Sequence, residues 1–217
     1  MSARKRTAVL ISGRGSNLQA LMDAARDPAF PAEIALVLSN IPDAPGLERA
    51  SGAGIATKTI SHRSYPSREA FDAAVNAALQ ESRIELLCLA GFMRILSDGF
   101  VKTWEGRLIN IHPSLLPAFK GTDVHRRVLD AGVRITGCTV HFVVPELDSG
   151  PILAQAAVPV VCGDSEADIA ARTLAAEHRL YPSALKLLAE GRVRLVEGRA
   201  EFADGPMASG TLFSPEV

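Results

Sequence analysis

Short apolar runs alternate with helical segments along the N-terminal half of this chain. The run Thr7–Ser12 is almost wholly apolar and stops at Gly13, which is typical of a strand buried on both faces. Strands that alternate with helices are joined as parallel βαβ units, so the sequence predicts an α/β domain. Further strands are predicted over residues 33–39, 56–60 and 84–90, with helices over 45–53 and 68–80.

A later strand ends in polar side chains. It begins near Arg107, and Asn110 and His112 come just before Pro113, which cannot donate a hydrogen bond to a sheet and therefore ends the strand. Residues two apart on a strand share one face, about 6.6 Å from each other. At the carboxyl edge of a sheet, where α/β proteins bind ligands, an amide and an imidazole together suit an oxygen that gains negative charge in acyl transfer. The alternative is a pair of structural, hydrogen-bonded residues.

Composition limits the class of protein. The chain has 217 residues, 47% of them hydrophobic and 22% charged, with a net charge of −1, so one globular domain is expected without a bulk electrostatic attraction to nucleic acid or anionic membrane. No run approaches the roughly 20 apolar residues of a membrane helix. Cys88, Cys138 and Cys162 are far apart in apolar surroundings, which predicts reduced core residues of a cytoplasmic protein rather than a disulfide frame or zinc site.

A glycine turn, Gly13–Asn17, follows the first strand and precedes helical spacing, with Ser16 or Asn17 as the expected N-cap. The dinucleotide pattern fails because Leu18 stands where the third glycine belongs, and the second strand ends in Ser39-Asn40 without an acidic residue. A Walker loop is also absent. Two interpretations stay open: a single phosphate bound at the helix N-terminus, or a tight connection without a ligand.

The loop Gly91–Leu96 is unusually apolar for a connection. It either plugs the core or lines a pocket for a flat aromatic ligand, and Arg94 within it is expected to hold a carboxylate or a backbone carbonyl. Of the other histidines, His62 and His125 are expected to be solvated, and His141 to be a hydrogen-bonded core residue. No metal-binding motif is present.

The C-terminal half is predicted to contain one more helix and strand before a turn-rich loop, and then a second strand and a long helix. The loop Pro145–Pro151 supplies Asp148, a carboxylate that this kind of fold can return to His112. The long helix starts at a cap formed by Asp164-Ser165, and Pro182 is expected to kink or split it. Beyond Gly191 we expect an edge strand and a mobile terminus. The intervening elements are a helix over 123–130 and strands over 136–144 and 152–161.

Four ordered motifs together resemble the phosphoribosylglycinamide formyltransferase family, the folate-dependent glycinamide ribonucleotide transformylases of purine biosynthesis. The resemblance covers residues 7 to about 195 and rests on segments 11–19, 89–96, 110–117 and 146–151. It implies a single α/β domain with a mostly parallel, twisted sheet of about seven strands, helices on both faces and a Rossmann-like N-terminal half. Residues 7–100 would form the phosphate-binding half, 101–195 the catalytic and folate-binding half, and 196–217 a tail.

The resemblance also implies roles for individual residues. Asn110, His112 and Asp148 match the catalytic residues. The ribose phosphate would lie at Gly13, Arg14, Gly15, Ser16 and Asn17, with Glu177 contacting the same substrate. The folate would be surrounded by Arg68, Met93, Arg94, Ile95, Leu96, Asn110, Val143, Val144 and Asp148. The co-substrate would be 10-formyltetrahydrofolate, with no metal, no nucleic acid and no membrane, in a monomer or homodimer.

Three rivals share part of these features. Methionyl-tRNA formyltransferase would bring a further C-terminal nucleic-acid-binding domain and a basic surface. Formyltetrahydrofolate hydrolase would bring an N-terminal regulatory domain, for which few residues precede Thr7. A non-catalytic folate- or phosphate-binding protein would explain the glycine turn and the apolar loop, but not Asn110, His112 and Asp148 together. Direct transfer is favoured over a covalent route because Ser114 has no nucleophile elbow around it.

Overall fold

A seven-stranded sheet forms the centre of the protein in the computed structural model, which describes residues 3–203 and Ser214. The strand order is β3-β2-β1-β4-β5-β6-β7, and the first five strands are parallel in the order of a dinucleotide-binding sheet. The strands are β1 Lys5–Ile11, β2 Ala32–Ser39, β3 Thr57–Thr59, β4 Leu86–Leu89, β5 Leu108–His112, β6 Ile135–Phe142 and β7 Ile152–Pro159. The prediction of a mostly parallel α/β sheet is confirmed.

Six α-helices surround the sheet in the described part of the chain. They are α1 Ser16–Ala25, α2 Pro45–Gly52, α3 Arg68–Glu81, α4 Asp98–Thr103, α5 Val124–Asp130 and α6 Glu166–Ala189, with a 3-10 turn at His62–Ser64. Helix α4 was not predicted from the sequence. None of the helices in the described residues combines the length and apolar character needed to span a lipid bilayer.

Alternation along β1 sends successive side chains to two separate cores. Val9 and Ile11 pack in the cluster that holds α1 and α6, whereas Ala8 and Leu10 pack in the cluster that holds α3 and α4. In β5, Ile109 belongs to the first cluster. The helices therefore cover both faces of the sheet and leave its carboxyl edge for loops.

The last two strands of the main sheet run against their neighbours. β6 is antiparallel to β5 and β7 is antiparallel to β6, with Asn110 opposite His141 and His112 opposite Thr139. Residues directly opposite each other project to the same face, so this reversal brings side chains of β6 beside those of β5.

Several local predictions were wrong. Pro182 does not split α6, which continues from Glu166 to Ala189 with Tyr181 and Leu185, on either side of the proline, fully buried; the alternative expectation, a kink, stays a prediction. The C-terminal segment forms a separate two-stranded sheet, β8 Val193–Val196 with β9 Arg199–Phe202, instead of an edge strand of the main sheet. The expected mobile terminus falls largely on 204–213 and 215–217, outside the described residues.

The cysteine prediction is correct at two positions and wrong at the third. Cys88 and Cys138 are buried, and burial raises the pKa of each thiol to about 12. Cys162 is exposed, because it follows β7 in the loop that leads to α6. All three are free thiols.

Candidate active site

The carboxyl end of β5 carries the two polar side chains that the sequence singled out. Ile109 packs into the core beneath α6, while Asn110 and His112 lie on the opposite face of the strand. His112 is only 5% exposed, so its ring depends on protein atoms for hydrogen bonds.

Both ring nitrogens of His112 face oxygen acceptors. Nε2 lies 2.9 Å from the carbonyl oxygen of Phe119, and Nδ1 lies 3.3 Å from Oδ2 of Asp148. A carbonyl oxygen and a carboxylate oxygen can only accept, so this arrangement matches a ring that carries a proton on each nitrogen. Both ring nitrogens therefore face atoms to which a protonated ring can donate.

Asp148 reaches His112 from the loop between β6 and β7. Its backbone adopts φ 47°, a left-handed conformation that costs a non-glycine residue stability, and its Oδ2 also accepts a hydrogen bond of 2.8 Å from Gly121 N. Gly150 allows the loop to lie close to β6, because a Cβ there would come 1.7 Å from Phe142 O. The loop conformation thus directs a buried carboxylate at the histidine.

His141 is the residue whose place in this cluster the sequence did not reveal. It is hydrogen-bonded and buried, as expected, but its Nε2 lies 3.2 Å from Asn110 Nδ2 and 3.8 Å from Asp148 Oδ1. Its Nδ1 donates to Phe142 O at 2.9 Å, so Nε2 of the neutral ring is an acceptor for the Asn110 amide. Burial lowers the pKa of His141, which keeps the ring neutral.

One polar cluster therefore joins Asn110, His141, Asp148 and His112. Because the amide of Asn110 donates one N–H to His141, its second N–H remains for a ligand. Only the antiparallel pairing of β5 with β6 brings His141 there, and the order of strands in space has no local signature in the sequence.

The glycine turn between β1 and α1 forms a second polar region. The helix N-cap is Gly15 at φ 72°, not Ser16 or Asn17, and a Cβ on Gly15 would lie 2.9 Å from the Cα of Gly46. The first N–H groups of a helix have no partner within the helix, so this turn presents donors to an anion. Gly13 has open space around it, and Arg14 is exposed at the same turn.

Glu177 projects from α6 to this turn. Its Oε2 accepts a 2.7 Å hydrogen bond from Asn17 Nδ2, and it is only 6% exposed, so desolvation raises the pKa of the carboxyl group. Asn17 Oδ1 is buried and has no hydrogen-bond partner among the described residues. Buried groups of this kind are normally satisfied, so a donor from a ligand fits here.

The apolar loop after β4 exposes part of its hydrophobic surface. Phe92 and Leu96 are buried, whereas Met93 is 73% and Ile95 58% exposed. The backbone N–H of Met93 donates to Ser12 Oγ at 2.8 Å, which ties this loop to the start of the glycine turn. Two side chains of the loop therefore close the core, as one of the two interpretations expected, and the other two leave an apolar surface exposed; a pocket for a flat aromatic ligand stays a prediction.

The remaining predicted folate residues lie at the rim. Val143 and Val144 are half-buried in the loop that carries Asp148, and Arg68 is exposed at the start of α3 beside an open cleft with Ser97. Arg94 is exposed and forms no hydrogen bond or ion pair within the described part of the chain, so the expectation that it holds a backbone carbonyl is wrong, and the expectation that it holds a carboxylate stays a prediction. An exposed loop tip offers it no carbonyl or carboxylate.

Two histidines outside the cluster are less solvated than expected. His62 Nδ1 lies 3.1 Å from Asn40 Nδ2, and His125 is half-buried on α5 with Nδ1 unpartnered among the described residues. Burial lowers the pKa of His125. No group of three or more His, Cys, Asp or Glu side chains suited to a metal occurs in the described residues.

Comparison with known proteins gives the family. The family model described as formyl transferase matches residues 5–185. The phosphoribosylglycinamide formyltransferase of Escherichia coli (strain K12) is 48% identical over 91% of this chain and 92% of its own length. The crystal structure of glycinamide ribonucleotide transformylase 1 from Symbiobacterium toebii superimposes with a TM-score of 0.91 at 47% identity, covering 94% of this chain and 96% of that one.

Longer relatives contain a similar segment. The trifunctional purine biosynthetic protein adenosine-3 of Bos taurus is 54% identical over 89% of this chain, which spans only 19% of that protein's length. Since the family model matches residues 5–185 and the Escherichia coli relative matches over 91% of this chain and 92% of its own length, this chain belongs to the formyl transferase family.

Proposed function

We propose that this chain transfers the formyl group of 10-formyltetrahydrofolate to the amine of N1-(5-phosphoribosyl)glycinamide, in de novo purine biosynthesis. The observation that carries the proposal is the 3.3 Å contact between His112 Nδ1 and Asp148 Oδ2, within a buried cluster that also orients Asn110. Relatives named for this activity match almost the whole chain.

The chemistry begins with attack by the neutral amine, whose pKa is about 8 if it behaves like an α-amino group. A bond forms between the amine nitrogen and the formyl carbon, and the formyl oxygen gains negative charge. The Asn110 amide and the His112 ring donate hydrogen bonds to that oxygen, and loss of one such donor typically costs about 3–4 kcal/mol of transition-state stabilisation.

His112 has a donor available for this task. In the free protein its Nε2 donates to Phe119 O at 2.9 Å, and the formyl oxygen would share this N–H with that carbonyl. Asp148 supports the protonated ring through its opposite charge at Nδ1. When the carbon–nitrogen bond to the folate breaks, a proton passes from the attacking nitrogen to the leaving nitrogen through His112 or an ordered water.

The two substrates have distinct proposed sites. The phosphate lies at Gly13–Asn17, where helix N–H groups face an anion, and Glu177 contacts the same substrate. The folate ring lies against the exposed side chains of Met93 and Ile95, and the loop Val143–Asp148 closes over it. Arg94 and Arg68 at the rim suit the carboxylates of the folate tail.

The wider setting follows from the same proposal. The chain acts in the cytoplasm on small molecules, without nucleic acid, as a monomer or homodimer. The net charge of −1 supports the proposal that nucleic acid is not a partner, because it gives no bulk attraction to polyanions. The proposed phosphate-binding half is 7–100 and the proposed catalytic and folate-binding half is 101–195. Glu177 of the second half also contributes to the phosphate site, and Met93 and Ile95 of the first half also contribute to the folate site.

Incubation of the protein with 10-formyltetrahydrofolate, with and without glycinamide ribonucleotide, tests the proposal. Release of tetrahydrofolate only with the amine present, together with the formylated product, is the expected result. Release without the amine indicates a hydrolase, and binding without release indicates a folate-binding protein. Either of these two outcomes contradicts the proposal.

A further inference from the structure

Two backbone atoms of one short segment hold the catalytic pair. The carbonyl oxygen of Phe119 accepts from His112 Nε2, and the N–H of Gly121 donates to Asp148 Oδ2. Lys120 stands between them. The positions of His112 and Asp148 therefore depend on whatever fixes the backbone at residues 119–121.

The side chain of Lys120 crosses to the loop that carries Asp148. Its Nζ donates a 2.6 Å hydrogen bond to the hydroxyl of Ser149, the residue next to Asp148, and lies 3.9 Å from Glu146 Oε1. The Glu146 carboxylate is largely exposed, so that ion pair contributes little. The shorter bond to Ser149 joins the two segments beside the bond from Gly121 N to Asp148 Oδ2.

Arg127 anchors the same backbone from α5. Its Nη1 donates to the carbonyl oxygen of Lys120 at 2.6 Å and to that of Thr122 at 3.3 Å, and its guanidinium lies 5.7 Å from the centre of the Phe119 ring. Phe119 adopts φ 54°, which a side-chain-bearing residue keeps only when its surroundings hold it.

We propose that Lys120 and Arg127 are positioning residues for formyl transfer: they keep the 119–121 backbone against His112 and Asp148 without contacting either substrate. The inference rests on the proposed function, because it assigns Lys120 and Arg127 a task in that reaction. Lys120 and Arg127 do not act on the reacting atoms themselves. Arg127 acts through backbone carbonyl oxygens, and Lys120 acts through Ser149.

The expected signature is a fall in turnover with little change in binding. A misplacement of about 1 Å in a catalytic group can cost as much as 100-fold, so Lys120→Met and Arg127→Met are each expected to lower kcat roughly 10- to 100-fold while the KM for glycinamide ribonucleotide stays within about twofold. Lys120→Arg keeps a donor of similar reach and is expected to recover most of the lost turnover.

Controls separate this effect from general loss of charge or stability. Arg126→Met, on the same helix and in an exposed ion pair with Asp123, and Lys102→Met on α4 are expected to leave kcat unchanged. Ser149→Ala removes the acceptor of Lys120 while leaving the lysine in place. If the bond between them carries the effect, the double variant Lys120→Met/Ser149→Ala loses no more activity than Lys120→Met alone.

The kinetics of the wild-type chain are measured first, so that failure of the proposed function can be told apart from failure of this inference. A wild-type chain that does not transfer formyl groups contradicts the proposed function itself. An active wild-type chain together with variants at Lys120 and Arg127 whose kcat equals that of the controls contradicts this inference, and so do fully additive losses in the double variant. If Lys120→Met unfolds at the assay temperature, the kcat values of Ser149→Ala and Lys120→Arg are compared with those of the controls instead.

Discussion

Nδ1 of His112 lies 3.3 Å from Oδ2 of Asp148, and both side chains are buried. In this poorly hydrated environment the attraction between an imidazolium and a carboxylate is stronger than in water, and each charge depends on the other. The backbone atoms Phe119 O and Gly121 N complete the hydrogen bonds of the two groups. The pair is thus held in position before either substrate binds.

Asn110 is expected to depend on His141 for its orientation. His141→Leu removes the acceptor for Asn110 Nδ2, which lets the amide rotate. It is expected to lower kcat by a factor between about 10 and 100, because loss of the oxyanion donor itself typically costs roughly 100-fold. His141→Gln offers an oxygen acceptor and is expected to lose less. Steady-state kinetics of both variants test this, and equal activity of His141→Leu and wild type would contradict it.

Glu177 is expected to lower the stability of the free protein as pH rises. Desolvation raises the pKa of this carboxyl group above its usual value of 4.5, so between 4.5 and the raised pKa the folded state binds more protons than the unfolded state. The free energy of unfolding therefore falls with increasing pH in that window. Glu177→Gln cannot ionise, so its stability advantage over wild type is expected to grow as pH rises above 4.5.

Urea unfolding of wild type and Glu177→Gln at several pH values between 4 and 8 measures this difference. A difference that stays constant over the range would show that Glu177 is not desolvated. The same variant is expected to raise the KM for glycinamide ribonucleotide, because Glu177 lies beside Asn17 at the proposed phosphate turn.

Gly150 is expected to be required for the position of Asp148. In Gly150→Ala the new Cβ would lie 1.7 Å from Phe142 O, a backbone atom that cannot rotate away, so the loop must shift. Overpacking of this kind costs about 1–3 kcal/mol of stability. We expect a lower unfolding temperature and a loss of kcat that exceeds the change in either KM.

Gly99→Ala is the matched control for that variant. A Cβ at Gly99 would meet no atom within 4 Å, and the residue lies in α4, where alanine is the better helix former. It is expected to keep full activity with equal or higher stability. If Gly150→Ala behaves like Gly99→Ala, the close approach of the loop to β6 has no part in holding Asp148.

The parallel part of the sheet was predictable from local pattern. Of the predicted run Thr7–Ser12, residues 7–11 are buried on both faces, and the amphipathic helix predicted over 68–80 occurs as Arg68–Glu81. The reversed direction of β6, which makes its pairings with both β5 and β7 antiparallel, was not predictable, because a strand has the same side-chain alternation whichever way it runs. The split expected at Pro182 does not occur, and the helix continues through the proline with Tyr181 and Leu185 fully buried.

The candidate site was predictable only where a side chain acts directly. Asn110, His112 and Asp148 are polar residues at strand ends or in turns, which marks them in the sequence. The contributions of Phe119 and Gly121 come from backbone atoms, so no residue type identifies them. His141 belongs to the polar cluster because β6 pairs with β5, and Lys120 contacts Ser149 because two loops lie close together.

The most direct test of the proposed mechanism is the turnover of Asp148→Asn with both substrates saturating. The amide keeps the size of the carboxylate but removes its charge, so it cannot support the protonated His112 ring. We expect kcat to fall by at least about 100-fold, while the KM of each substrate changes no more than a few-fold. A variant that turns over at nearly the wild-type rate would remove Asp148 from the mechanism and contradict the account.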